Sequence, residues 1–190
     1  MSETTMTKQE FDGLSVSVER AVPGDAEAIM TIKREAWLAA YPNKEFGVTV
    51  EDIQKKFPQD SMPAAIENWQ RGIASEKENG DRVTFVARVD GKVVGFTAPC
   101  SEDGQRRIGA MYISPDAQGK GVGSQLLRKA VQWHGLEQDI YLHVVRYNHN
   151  AIRFYEHFGF RKTGKEMPEE FDEQQSIRLL PEIEMALKAD

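Results

Sequence analysis

The chain has 190 residues, of which 40% are hydrophobic and 28% are charged, and its formal net charge is −6. This length and composition predict one folded domain with a buried core and exclude a wholly disordered chain. The acidic balance and the scattered Lys and Arg residues argue against nucleic acid as a partner. No apolar run approaches the ~20 residues needed to span a bilayer, so we expect no membrane partner.

The N-terminal segment and the cysteine content indicate the compartment. Residues 1–13 are polar and aperiodic, which predicts a flexible tail before a single domain over residues 14–190. The opening "MSETTMTKQEF" lacks the apolar segment of a secretory signal, and the single Cys100 cannot form an internal disulfide. Both features predict a cytoplasmic protein.

A strand and a helix are predicted in the first 42 residues. In "LSVSVERA", Leu14, Val16 and Val18 alternate with polar residues, which is typical of a half-buried strand. The next segment predicts a helix that has Asp25 as its N-cap and ends before Pro42. Its apolar residues recur at helical spacing, namely Ala28, Ile29, Ile32, Ala36, Trp37 and Ala40.

The middle of the chain predicts two helices and a hairpin. Between residues 43 and 80, "TVEDIQKKF" and "PAAIENWQRGIASEKE" have helical patterns and are surrounded by polar loops. The segment "RVTFVARVDGKVVGFTA" predicts a β-hairpin, because two β-rich runs flank Asp90-Gly91, a dipeptide that type I′ turns prefer.

The second half alternates strands with helices. "RRIGAMYIS" and "DIYLHVV" predict strands, and "AIRFYEHF" predicts a short helix with Gly159 as its C-cap. Residues 160–165 and "PEIEMAL" predict two closing strands on either side of an acidic loop. This order predicts an α/β fold in which a mixed central β-sheet is flanked by helices. The helix between the first two of these strands has one apolar face, made of Val122, Leu126, Leu127, Ala130 and Val131.

The segment "QGKGVG" places Gly119, Gly121 and Gly123 at the start of that helix. Because glycine has no Cβ, the free amides of the first helical turn and the positive end of the helix dipole are accessible to a phosphate or pyrophosphate. Lys120 adds a positive charge. The glycines alone are equally consistent with a strand-to-helix turn that binds nothing.

Two other phosphate-binding motifs do not fit the spacing. The Walker A motif requires Ser or Thr after its Lys, whereas Gly121 follows Lys120. The dinucleotide-binding motif has the spacing G-x-G-x-x-G in a first βαβ unit, whereas these glycines are spaced G-x-G-x-G and follow several elements.

The pattern Gln118-x-x-Gly121-x-Gly123 lies within "MYISPDAQGKGVGSQLL", and "NHNAIRFYEHFGF" follows further along the chain. Taken together, these segments resemble the GNAT superfamily of N-acetyltransferases. The resemblance is strong over residues 82–163, looser over residues 16–41 and absent over residues 43–80. Two motifs in the family's order, behind a hairpin, make it specific.

The resemblance implies that acetyl-CoA is the co-substrate, and it implies roles for particular residues. Met111, Tyr112 and Ile113 would pair with the pantetheine amides through main-chain groups. Asn148 would contact the pantetheine arm, and Tyr155 would donate a proton to the departing CoA thiolate. The backbone amides of the turn would hold the pyrophosphate, and its residues are Gln118, Gly119, Lys120, Gly121, Val122, Gly123 and Ser124.

The residues around Tyr155 leave two interpretations open. Ala151, Phe154, Tyr155 and Phe158 recur at helical spacing, which by itself favours a core aromatic whose hydroxyl bonds to the backbone. The family match favours the proton donor. A phenol with a pKa near ~10 can fill that role when it is held within hydrogen-bond reach of a thiolate.

The general base is not assigned by the sequence. Several enzymes of the family use a Glu near the start of the strand before the turn, but Arg107 stands at that position and cannot accept a proton. Glu35 and His143 are the remaining candidates. Glu35 has charged neighbours typical of a solvated helix face, and His143 alternates with apolar residues on a strand.

Acceptor recognition is expected within residues 36–80, which match the family least. Trp37, Tyr41 and Trp69 would line an apolar slot there, or else pack in the core as aromatic residues at helical spacing usually do. The acidic side chains expected to attract a cationic amine are Glu45, Glu51 and Asp52.

The sequence therefore predicts an acetyl-CoA-dependent N-acetyltransferase that acetylates a primary amine of a small molecule or peptide by direct attack in a ternary complex. The alternative is a non-catalytic CoA-binding regulatory protein of the same fold, which Arg107 keeps open. No metal is expected, because no His pair has a supporting third ligand, and no acyl-enzyme is expected at Cys100. The identity of the acceptor and the formation of a homodimer stay open.

Overall fold

The computed structural model of the protein describes residues 9–11, 14–167, 171–172, 177–178 and 180–189. Within them, the α-helices are Ala26–Ala40 (α1), Val50–Lys56 (α2), Met62–Asn79 (α3), Val122–His134 (α4) and His149–His157 (α5). The strands are Gln9–Phe11 (β1), Leu14–Arg20 (β2), Phe85–Val89 (β3), Lys92–Glu102 (β4), Gln105–Ile113 (β5), Ile140–Val145 (β6), Arg161–Met167 (β7), Phe171–Asp172 (β8), Ile177–Arg178 (β9) and Glu182–Leu187 (β10).

Eight of the described strands form one sheet in the order β1-β2-β3-β4-β5-β6-β10-β7. Neighbouring strands are antiparallel, except that β5 and β6 are parallel. The prediction of an α/β fold with a mixed central sheet is therefore confirmed. β10 lies between β6 and β7 because its four middle residues are buried and three of them are apolar, whereas the polar, exposed β7 suits a sheet edge.

The predicted elements agree with the observed ones, and the differences lie near the chain ends. Asp90 and Gly91 both have positive φ, as the type I′ hairpin requires. In the segment expected to be a flexible tail, Gln9–Phe11 pair with β2, and the rest of residues 1–13 lies outside the described residues. The acidic loop contains the short β8–β9 pair, and part of it also lies outside the described residues.

Asp25 occupies the N-cap position of α1, as predicted, but its side chain does not cap the helix. Both of its carboxylate oxygens lie 2.8 Å from Nη2 of Arg88, and one also accepts a 3.0 Å hydrogen bond from the N–H of Val22. The buried carboxylate therefore ties the start of α1 to β3.

Helices cover both faces of the sheet. The residues of β3 are almost all buried because helices pack against both sides of this strand. Phe85 and Ala87 pack toward Val122 and Leu126 of α4, whereas Val86 packs on the other face with residues of α1 and α3. Because successive side chains of a strand point to opposite faces, a strand covered on both sides is apolar nearly throughout.

The parallel pairing of β5 and β6 is short. It covers only Arg106–Ile108 against Ile140–Leu142, and β5 is bulged directly afterwards, where the register against β4 shifts. Gly109 lies in this bulge, and a Cβ at this position would meet the carbonyl oxygen of Ala98 at 3.1 Å. A β-bulge bends the strand that carries it. The two strands consequently diverge beyond Ile108 and leave a gap in the sheet.

Candidate functional site

A cleft of about 1120 Å³ opens where β5 and β6 diverge. Its walls come from the second half of β5, from β6, from the turn before α4 and from α5, and the end of α1 closes one side. Pockets for drug-sized ligands have volumes of roughly 300–1,000 Å³. The cleft is therefore large enough for a long ligand together with a smaller one.

The glycine-rich turn lines one part of this cleft. Gly119 and Gly121 have φ of +74° and +82°, a backbone region that glycine adopts without strain. The first backbone hydrogen bond of α4 runs from the N–H of Gln125 to the carbonyl oxygen of Gly121, at 3.2 Å. The amides of residues 122–124 precede that bond and are those that a helix leaves without an intrahelical partner. The turn therefore has the geometry of a helix N-terminus that suits an anion.

The side chains of the turn differ in their surroundings. Val122 is 1% exposed and packs in the core, so a ligand can meet only its amide. A Cβ on Gly123 would lie 3.4 Å from Ile113 and 3.5 Å from Phe154, so this glycine also allows α4 to pack closely. Lys120 is exposed on the turn, and its side chain is not part of the cleft wall.

The residues expected to contact the pantetheine arm lie on opposite walls. Met111, Tyr112 and Ile113 follow the point where β6 leaves β5, and all three line the cleft. Across from them, Asn148 is the N-cap of α5, and its side-chain oxygen accepts a 3.1 Å hydrogen bond from the N–H of Ala151. The capping role, which the sequence analysis did not assign, leaves the side-chain NH₂ group of Asn148 to donate elsewhere.

Tyr155 is buried and also lines the cleft. Its ring packs edge-on against Phe154 and Phe160, with centroids 5.3 and 5.8 Å away. Burial raises the pKa of Tyr155 above its usual range, and Tyr112 nearby raises it further. The hydroxyl is therefore protonated at neutral pH, which is the state that a proton donor needs. The ring packs in the core, as the interpretation of Tyr155 as a core aromatic expected. Its position on the cleft wall is also compatible with the role of proton donor.

Tyr41, at the C-terminal end of α1, lines the same cleft near Tyr112 and Tyr155. Burial raises the pKa of Tyr41 well above its usual value, and that of Tyr112 is raised for the same reason. The two side chains also interact through their hydroxyls. This part of the cleft is consequently lined by neutral phenol groups at neutral pH.

The other two aromatic residues expected at the acceptor slot pack in the core. Trp37 stands behind Tyr41, with ring centroids 5.0 Å apart in an edge-on arrangement, and also contacts Phe57. Trp69 packs edge-on against Phe96 at 5.5 Å. Of the three aromatic residues, the structure brings only Tyr41 to the described cleft wall.

Acidic residues proposed from the sequence do not line the cleft either. Asp52 accepts hydrogen bonds from the N–H and the hydroxyl of Thr49, which caps α2. The residues of α1 that reach the cleft come after Glu35 in the chain. The side chains that lie outside the described cleft wall are Glu35, Glu45, Glu51 and Asp52.

Glu182, the first residue of β10, is a cleft residue that the sequence analysis missed. Its side chain retains 38% of its surface exposed, and burial raises the pKa of its carboxyl group. The charge of Glu182 contributes to the raised pKa of Tyr41 and Tyr112, and all three residues line the cleft. A sequence pattern could have identified Glu182. Glu182 and Glu184 alternate with apolar residues, which places both carboxylates on one face of a strand.

His143 on β6 lies beside both carboxylates. Its Nδ1 is 3.9 Å from Oε2 of Glu182, and its Nε2 is 3.6 Å from Oε2 of Glu184. Nη1 of Arg107 lies 3.3 Å from the same Nε2. Burial lowers the pKa of His143, and Arg107 lowers it further, so the imidazole is mainly neutral at pH 7. Arg107, which stands where several family members have a Glu, is therefore a neighbour of His143 in the cleft.

Cys100 lines the cleft beside the paired segment of β5, opposite Arg107 in the sheet register. Burial raises the pKa of its thiol, which keeps the thiolate population small. In the described part of the chain, no group of three or more His, Cys, Asp or Glu residues is arranged to hold a metal ion. Of the helices described, none is long and apolar enough to cross a membrane.

The sequence matches the acetyltransferase (GNAT) family over residues 32–160, which is more than half of the chain. The protein therefore belongs to this family. It is 26% identical over 140 residues to the spore coat polysaccharide biosynthesis protein SpsD of Bacillus subtilis, a match that covers 73% of this chain and 44% of SpsD. It is 30% identical over 101 residues to an uncharacterized N-acetyltransferase of Archaeoglobus fulgidus, covering 47% of this chain and 65% of that protein. The matches span less than two thirds of each relative.

Solved structures show the same fold. The PaiA N-acetyltransferase of Thermoplasma acidophilum, in complex with coenzyme A, superposes with a TM-score of 0.65 at 21% identity, covering 92% of this chain and 99% of that one. YncA, a putative acetyltransferase of Salmonella typhimurium with acetyl-CoA, gives 0.64 at 22% identity, covering 92% and 94%.

Proposed function

We propose that the protein transfers the acetyl group of acetyl-CoA to a primary amine of a small molecule or peptide, by direct attack in a ternary complex. The observation that carries the proposal is the cleft between β5 and β6, whose wall includes both the glycine-rich turn before α4 and Tyr155. Membership of the acetyltransferase family supports the reaction class. The structural neighbours that contain coenzyme A or acetyl-CoA support the co-substrate.

The residues of the cleft fit CoA by their chemistry. The amides of residues 122–124 and the glycines before them suit a pyrophosphate, because nothing lies within 4 Å of a Cβ placed on Gly119 or Gly121. Main-chain groups of Met111–Ile113 lie beyond the last β5–β6 pair and suit the amides of a pantetheine arm. The NH₂ group of Asn148 adds a donor on the opposite wall.

Acetyl-CoA supplies an activated acyl group whose thioester carbon accepts the amine nitrogen. Tyr155 then protonates the departing sulfur. Burial keeps the phenol protonated, and the thiolate that forms beside it is the group that accepts the proton.

Direct attack is favoured over a covalent acyl-enzyme by the state of Cys100. This thiol lines the cleft, but burial raises its pKa. A nucleophilic cysteine needs the thiolate form, which a lowered pKa or an adjacent base provides. The amine itself is therefore the attacking group.

The second candidate function is a non-catalytic CoA-binding regulatory protein. Arg107 favours it, because a guanidinium at the position of the family's Glu cannot accept a proton from an amine. Such a protein would bind acetyl-CoA in the same turn without releasing CoA.

One experiment separates the two functions. Acetyl-CoA affinity is measured by calorimetry, and CoA release is then followed with a thiol reagent in the presence of a panel that includes polyamines, amino acids, aminoglycosides and peptides. Amine-dependent CoA release above the hydrolysis rate supports the acetyltransferase. Tight acetyl-CoA binding without release for any amine favours the regulatory protein, and no binding contradicts both.

A further inference from the structure

We propose that Glu182 binds the acceptor amine as a cation in the cleft and takes its proton. This inference rests on the proposed function, because it names the group that prepares the amine for acetyl transfer. It assigns the base to β10, which lies on the far side of β6 from β5, the strand that carries the Glu in several enzymes of the family.

Position in the cleft distinguishes Glu182 from Glu102, the other carboxylate on its described wall. Glu102 is exposed at the end of β4 and pairs with Gln105 at the start of β5, away from Met111–Ile113. Glu182 pairs with Val145 at the end of β6, which leads into α5 and Tyr155. Glu182 is therefore the carboxylate at the same end of the cleft as the proposed proton donor.

Among the described residues near Glu182, the cationic side chains of Arg107 and Lys165 have other partners. Arg107 donates to the side-chain oxygen of Gln105 at 2.6 Å and contacts His143 at 3.3 Å. Lys165 lies 3.6 Å from Glu184. Arg107 and Lys165 therefore interact with neighbours of Glu182, and Glu182 itself lines the cleft. A ligand ammonium in this position would meet a negative charge in a cleft whose wall also includes Tyr41 and Tyr112.

Among the described residues, the titratable groups around Glu182 come from α1, β5, β6 and β7. Tyr41 of α1 and Tyr112 of β5 line the same cleft, and His143 of β6 lies 3.9 Å from Glu182. Beyond His143 lie Arg107 and Glu184, and Lys165 of β7 lies beside Glu184. The tyrosines are protonated and the imidazole is mainly neutral at pH 7. Burial raises the pKa of Glu182 itself, which makes its carboxylate a better proton acceptor than an exposed one.

The protons of the reaction then balance. The bound ammonium gives one proton to Glu182 and becomes a neutral amine. The nitrogen forms a bond to the acetyl carbonyl carbon, the carbon–sulfur bond breaks, and the nitrogen gives up a second proton to form the amide. Tyr155 protonates the sulfur, and the second proton restores Tyr155. Glu182 returns the first proton to solvent, so the products are an amide, the CoA thiol and one proton.

A binding experiment tests the site without turnover. The full-length protein is saturated with CoA, which cannot acetylate, and titrated with 2-phenylethylamine or with its neutral analogue 2-phenylethanol. Because a hydrogen bond to a charged group is lost, Glu182→Gln should weaken amine binding about 10-fold or more and change alcohol binding by less than about twofold. Glu102→Gln is the matched control and should leave both unchanged. Equal amine binding by the wild type and Glu182→Gln overturns the inference.

Kinetics test the proton transfer. With acetyl-CoA and an amine that turns over, Glu182→Gln should lower kcat/KM for the amine by about 100-fold or more at pH 7. Activity should recover partly at alkaline pH, where the amine arrives without its extra proton, and Glu182→Asp should recover part of it at pH 7. A Glu182→Gln profile that matches the wild type at every pH overturns the inference.

Acetyl-CoA affinity shows that each variant is folded, and Glu182→Asp replaces Glu182→Gln in both tests if the latter loses that affinity. Failure of the proposed function can be distinguished from failure of the role assigned to Glu182. If the wild type acetylates no amine, the proposed function fails, and the binding titration still decides whether Glu182 holds the cation.

Discussion

The hydroxyl of Tyr147 donates a 2.8 Å hydrogen bond to the backbone carbonyl oxygen of Tyr41. This bond joins the end of α1 to the segment between β6 and α5, which carries Asn148. A residue on the proposed acceptor wall is thereby held, through its backbone, to the segment that is proposed to contact the pantetheine arm. Side-chain substitutions of Tyr41 leave this link intact, so they test the wall itself.

Tyr41→Ala should raise the KM for the acceptor about tenfold and change the KM for acetyl-CoA little, because a wall contact is lost on one side of the cleft. Steady-state kinetics with both substrates varied measures this split. Tyr41→Phe is the matched control, since it retains the edge-on packing on Trp37 and removes only the hydroxyl. Equal losses for both substrates, together with a lower melting temperature, would show that Tyr41 only packs the end of α1.

Gly121→Asp should abolish measurable acetyl-CoA binding, whereas Gly121→Asn should weaken it by much less. Asn and Asp both tolerate the positive φ of +82° better than other residues, so the two variants differ mainly in a negative charge beside the proposed pyrophosphate. Calorimetry gives both affinities. Gly123→Asp is less informative, because its side chain would also press on Ile113 and Phe154. Identical acetyl-CoA affinities for the Asp and Asn variants would contradict the binding of the pyrophosphate at this turn.

Tyr155→Phe should lower kcat by about 10- to 100-fold and leave acetyl-CoA affinity nearly unchanged, because only the proton donor is lost. The ring packing against Phe154 and Phe160 is retained in the variant. Single-turnover kinetics and calorimetry measure the two quantities. Unchanged turnover would mean that Tyr155 acts solely as a core aromatic.

The rate should rise with pH through the neutral range. An alkyl amine has a pKa near ~10.4, and loss of its proton, either in solution or through Glu182 to solvent, becomes more favourable as the pH increases. The measurement is kcat/KM for the acceptor from mildly acidic to alkaline pH. A flat profile would indicate that product release or a conformational step limits the rate.

Glu182→Gln should raise the melting temperature at neutral pH. Burial raises the pKa of Glu182 in the folded protein, so the folded state binds more protons than the unfolded state between the unfolded and folded pKa values. Stability from this group is consequently lost as the pH rises through that window. Thermal unfolding across the pH range should show the gain above the window and none below the unfolded pKa. A variant that is less stable at neutral pH would contradict the assigned direction.

Local patterns in the sequence were sufficient for most elements. The Asp90-Gly91 turn, the apolar face of α4 and the glycine-rich start of that helix each depend on residues close together in the chain, and the structure contains all three. The same locality explains a partial error. Asp25 was expected to cap α1 and does occupy that position, but its side chain bonds to Arg88, which is distant in sequence.

Short-range spacing and composition were enough to predict the family, the fold class and the motif that suits a pyrophosphate. The set of side chains that meet in the cleft depends instead on contacts between distant segments. Glu182 lines the same cleft as Tyr41 and Tyr112 because β10 inserts between β6 and β7. Trp37 and Trp69 pack against core clusters instead of lining that cleft. Strand order and helix packing minimise the exposed apolar area of the whole chain, and no local pattern encodes that sum.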